Sequence, residues 1–135
     1  MKFIAKLFSV FCIAFFISSC GGSSSPEAAA KKYVDAVYAG DSDTVISMVH
    51  ISDKHKDEPG LKDMVSGKVK QAVMHDKENA EKNGGVKGIS VGEPKYSEDK
   101  KTAEVLVTIS FKNSGKPKQE LVRLIDTDNG WKLKF

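Results

Sequence analysis

The sequence predicts an α+β domain in which helices from the N-terminal half pack on one face of a four-stranded antiparallel sheet. Two observations carry this. Apolar residues recur at helical spacing from Pro26 to the lysine-rich stretch ending near Lys82, and from Val86 onward the period switches to two. Helices in one run followed by hairpin-linked strands in another give α+β rather than alternating α/β order.

The first helix opens at Ser25-Pro26-Glu27, a capping serine followed by proline at the first helical position and an acid in the first turn. Ala30, Tyr33, Val34, Val37 and Tyr38 then form one apolar face, and Gly40 ends it. Asp41 or Ser42 caps a second, shorter helix carrying Val45, Ile46, Met48 and Val49. A polar loop from His50 to Glu58 follows. Pro59 opens a third helix whose narrower stripe is Leu61, Met64, Val65, Val69, Ala72 and Val73, fraying toward Asn79–Lys82 and stopping at Asn83-Gly84-Gly85.

Val86 to Tyr96 is the first strand, interrupted by Gly92 and Pro94 and therefore expected at an edge or carrying a bulge. Ser97–Lys100 turns the chain into the clearest strand, where Ala103, Val105, Val107, Ile109 and Phe111 alternate with Glu104, Leu106, Thr108 and Ser110. Asn113-Ser114-Gly115 leads to a third strand from Lys118 to Asp126. Asp128-Asn129-Gly130 closes a tight hairpin into Trp131, Leu133 and Phe135, with Lys132 and Lys134 facing away.

The 135 residues suffice for one domain. Residues 1–19 have the form of a secretory signal. Lys2 and Lys6 precede eleven uncharged residues from Leu7 to Ile17, a run too short to span a bilayer. Without those residues, 19 basic side chains face 18 acidic ones, a balance of +1 that gives no long-range field toward nucleic acid or anionic lipid. Arg123 is the single arginine, which argues further against a nucleic-acid partner. Cys12 leaves with the signal, so Cys20 stands alone and no internal disulfide is expected.

Ile17-Ser18-Ser19-Cys20-Gly21 resembles the lipobox of bacterial lipoproteins. The resemblance implies cleavage between Ser19 and Cys20, diacylglycerol on the Cys20 sulfur and acylation of the new amino terminus, palmitate among the acyl groups. Two or three acyl chains anchor far more firmly than one, since each buried methylene contributes about 0.8 kcal/mol. Gly21 is not the aspartate that resembles an inner-membrane retention signal. The expected address is therefore the periplasmic side of the outer membrane, ahead of the inner membrane or the cell surface. Residues 20–25 read as the lipidated cysteine and a flexible Gly/Ser tether, and 26–135 as the domain.

Pro26-Glu27-Ala28-Ala29-Ala30 into Tyr33, the Ala39-Gly40-Asp41 break and the closing Asp128-Asn129-Gly130-Trp131-Lys132-Leu133 resemble the small lipoproteins of the DUF4878 family, in the NTF2-like/cystatin-like superfamily. The resemblance covers residues 26–135 and implies a curved sheet wrapped around helices as a cone. Some relatives in that superfamily are isomerases or dehydratases and others only bind ligands or partners, so the fold alone assigns no activity.

The candidate sites are few. An isomerase-type enzyme needs a carboxylate in the apolar cone. The apolar face of the clearest strand offers none, Glu120 and Arg123 lie on opposite faces of the third strand by parity, and Asp35, on the first helix, is the remaining candidate, placed among lysines. His50, Asp53, His55 and Asp57 match no metal-ligand spacing and read as a solvated loop, and no cofactor is expected. Tyr33, Tyr38, Phe111 and Trp131, with Phe135, are candidates to line an apolar ligand pocket, and are equally the residues a small core needs. The resulting expectation is a membrane-anchored envelope protein without catalytic residues, acting through protein contact. Binding of a small apolar molecule in the cone stands second, and an isomerase- or dehydratase-type enzyme third.

Overall fold

The computed structural model describes residues 24–134, so the signal segment, the Ser19–Cys20 junction, most of the tether and Phe135 lie outside the described residues. Three helices precede five strands: α1 (Pro26–Ala39), α2 (Ser42–Met48), α3 (Leu61–Lys82), β1 (Val86–Val91), β2 (Lys95–Tyr96), β3 (Thr102–Phe111), β4 (Lys118–Thr127) and β5 (Gly130–Leu133). No described helix is long and apolar enough to cross a membrane.

The helix boundaries follow local chemistry. The Ser25 hydroxyl accepts from the Ala28 N–H at 3.2 Å, and Pro26, which lacks a donor, stands where no intrahelical acceptor exists. Gly40 ends α1 in the left-handed region at φ 77°, returning its N–H to the last carbonyls. Asp41 then caps α2, accepting from the Thr44 N–H at 3.1 Å and the Thr44 hydroxyl at 2.6 Å. α3 begins two residues after Pro59. It runs unbroken to Lys82 rather than fraying, because Ala80 is buried and pins the last turn.

The sheet is antiparallel, in the order β1-β3-β4-β5, and curls around α1. The first expected strand is split in two. β1 pairs with β3 from Val107 to Phe111 and β2 pairs with Ala103 and Glu104, so both lie along the same edge of β3. Pro94 has no N–H to give the ladder. At Gly92 the N–H bonds the Leu106 carbonyl at 2.8 Å, and any Cβ there would sit 3.0 Å from that oxygen. The count is therefore five strands where the alternation alone predicts four.

The core lies between α1 and the inner sheet face. Val105, Val107 and Ile109 of β3, Leu124 of β4, and Ala29, Ala30 and Val34 of α1 are fully buried. Alternation along β3 holds without exception: Ala103, Val105, Val107, Ile109 and Phe111 point in, and Glu104 and Leu106 point out. α1 spans the concave face, reaching β1, β3, β4 and β5, whereas α3 rests mainly on α1 and α2 as an outer layer.

Candidate functional site

α3 stands off the sheet, so its inner stripe faces other helices. That stripe is short: Val65, Val69, Ala72 and Val73 reach less far than leucines would. Opposite them stand Tyr33 and Val37 of α1 and Val45 and Val49 at α2. The three helices consequently enclose a cleft of about 420 Å³, within the range of small-molecule pockets. Met64 borders the mouth and is half exposed. His50, Lys68 and Asp76 complete the polar boundary.

A second group of polar side chains lies where the helices meet the sheet. Along β4, Lys118 and Glu120 share the inward parity of buried Val122 and Leu124. Tyr33 donates its hydroxyl to Glu120 Oε1 at 3.1 Å, and Lys118 Nζ donates to Asp76 Oδ1 at 3.4 Å, tying β4 to α1 and α3. Glu120 Oε2 and the Tyr38 hydroxyl are buried without a hydrogen-bond partner among the described residues. Burial, reinforced by the Glu120 carboxylate, holds the Tyr33 phenol well above its ordinary range. Burial also raises Tyr38, against the opposing pull of the Lys118 ammonium. For Lys118 burial works downward but is outweighed by Tyr38, Asp76 and Glu120, and its affinity for the proton rises.

The four aromatic candidates are not brought together around one pocket. Tyr33 alone lines the cleft. Tyr38 packs edge-on against Phe111, ring centres 6.0 Å apart, at the β3–β4 turn end of the sheet. Trp131 meets Tyr96 at 6.1 Å near the other end. Tyr38, Phe111 and Trp131 thus pack against or within the core. Asp35 is exposed and pairs with Lys31 at 2.7 Å. His50 borders the cleft, while His55 pairs with Glu58, and Asp53 with Lys56 at 3.7 Å. Among the described residues no three metal-ligating side chains converge.

Sequence reasoning missed the roles of Lys118 and Glu120, naming Glu120 only for its face on the strand opposite to Arg123, and missed Asp76. The parity of β4 carries the signal for the first two, because Val122 and Leu124 fix which face is inward. Asp76 sits beside the apolar stripe of α3, eight residues beyond Lys68, yet only the fold places Lys118 against it.

A crystal structure of a Campylobacter jejuni protein named "Putative NTF2-like transpeptidase" superimposes with a TM-score of 0.71 at 28% identity, covering 82% of this chain and 97% of that one. No curated protein matches the sequence. A sequence profile described as "Domain of unknown function (DUF4878)" matches residues 18–134, with the β4 and α3 residues above inside the matched span. The chain belongs to the DUF4878 family and has an NTF2-like fold.

Proposed function

We propose that this protein is a lipid-anchored component of the bacterial cell envelope whose domain binds a small apolar molecule between its three helices. The cleft carries the reading. Its walls are mostly aliphatic, its volume is that of a ligand pocket, and it lies between helices rather than inside the sheet-lined cone. The aliphatic walls gain by burial against an apolar occupant, at roughly 25 cal/mol per Å² of apolar surface removed from water. The anchor is proposed from Ile17-Ser18-Ser19-Cys20, with the outer membrane as the site of attachment.

A role through protein contact, first on sequence grounds, has thinner support. Leu106 and Leu121 form an exposed cross-strand pair on the outer sheet face, beside the Glu104–Arg123 ion pair at 3.5 Å. Transpeptidation, the activity in the name of the C. jejuni protein, needs an activated nucleophile. Among the described residues there is no cysteine, and no serine hydroxyl hydrogen-bonds to a histidine or lysine side chain.

Two measurements test the proposal. Fatty-acid labelling of cells should tag the wild-type chain and fail on Cys20→Ser, which should also leave the membrane fraction. Solvent extraction of protein purified from membranes should release a small apolar molecule in near-equal amount with wild type. Ala72→Trp, which fills the cleft from its exposed rim, should release far less. Equal release from both chains would count against the cleft as the binding place.

A further inference from the structure

We propose that the inter-helical cleft takes a single-tailed anionic amphiphile, with its hydrocarbon tail among the valines and its head held at the rim by Lys68 and His50. This rests on the ligand-binding reading above and names the chemical class of the ligand. The interior walls, from Val45 on α2 to Val65, Val69 and Val73 on α3, offer no hydrogen-bonding side chain, so the buried part of the ligand is hydrocarbon.

Of the four polar side chains on the boundary, two already have partners. Tyr33 donates to Glu120, and Asp76 is neutralised by Lys118. Lys68 and His50 have no ion-pair partner among the described residues. Lys68 lies eight residues from Asp76, about 12 Å along the helix axis, so the unpaired cation stands well apart from the satisfied acid along the cleft wall. A negative head is therefore favoured beside Lys68 and disfavoured near Asp76.

Lys68 is exposed while its side chain borders the cleft. Its methylenes cover apolar wall as its ammonium stays in water, and the ligand head can do the same. No ion has to be buried, which avoids the desolvation cost of an internal pair. The His50 N–H bonds the Leu133 carbonyl at 2.9 Å, which fixes the backbone that carries the imidazole at the rim.

A free fatty carboxylate and a lysophospholipid share this chemistry and can be told apart. The full chain, in its membranes, is treated with a diazirine-bearing dodecanoate, and crosslinked peptides are mapped by mass spectrometry. Labelling is expected on α2 and on the Met64–Val73 part of α3, and it should vanish in Ala72→Trp. Replacing both Lys68 and His50 by alanine should lower labelling about fivefold, the size of an exposed charge pairing at two points. Lys68→Arg should retain it. Excess dodecanoate or lysophosphatidylglycerol should compete, the stronger competitor identifying the source, whereas dodecanol and dodecylamine should compete weakly. If dodecanol or dodecylamine competes as well as dodecanoate and the double variant labels like wild type, the anionic class is wrong although the cleft still binds. If label on α2 and α3 is absent, or indifferent to Ala72→Trp, the cleft reading itself fails.

Discussion

Tyr33 joins the cleft to the sheet. Its ring lines the space between helices, and its hydroxyl holds the part-buried Glu120 carboxylate of β4. Tyr33→Phe removes that donor and leaves both Glu120 oxygens without a protein partner, since Oε2 already has none. The expected loss is about 1–3 kcal/mol in denaturant unfolding, with the slope unchanged. The raised phenols of Tyr33 and Tyr38 also fix the alkaline behaviour. Above about pH 10 the unfolded chain releases these protons while the folded chain keeps them, so stability falls as pH rises. Tyr33 contributes a slope of up to about 1.4 kcal/mol per pH unit in that window, and the more exposed Tyr38 acts in the same direction. Lys118 acts in the same direction, because its raised proton affinity favours the folded form below the lysine range. Stability measured from pH 9 to 11 should decline steeply in wild type and less steeply in Tyr33→Phe.

At the level of elements, the helix ends were readable because capping is a contact between neighbours in sequence. Ser25, Pro26, Gly40 and Asp41 each act on backbone within four residues. Ser25→Ala should cost about 1 kcal/mol of stability. Gly40→Ala should cost more, because the position needs a positive φ and the added Cβ would lie 2.9 Å from Lys77 Cδ. Thermal melts of the two variants check the order, and a Gly40→Ala protein as stable as wild type would contradict it. The alternation of β3 was equally legible, since one buried face requires period two. The C-terminal turn of α3 was not. Asn79-Ala80-Glu81-Lys82 looks solvated in sequence, and only tertiary burial of Ala80 keeps it helical. The split of the first strand was half legible: Gly92 and Pro94 mark an interruption without saying that both halves stay on β3.

For the whole molecule, the sequence conveys what must be buried and not where space is left over. A cone lined by Tyr33, Tyr38, Phe111 and Trp131 follows from counting large aromatics, yet three of them close the core and one opens onto a cleft. The cleft arises from three separate helices whose facing stripes are valine and alanine, a property of their relative placement. Likewise Asp76 and Lys118 are 42 residues apart in sequence and meet only through the fold. The most direct test of this architecture as a binding site is methyl-resolved NMR of the domain titrated with dodecanoate. The methyl groups of Val45, Val65, Val69 and Val73 should shift together and saturate, while those of Val105 and Val107 on β3 stay in place. Shifts centred on Val105 and Val107, or no saturable shift at the helix valines, would contradict the account.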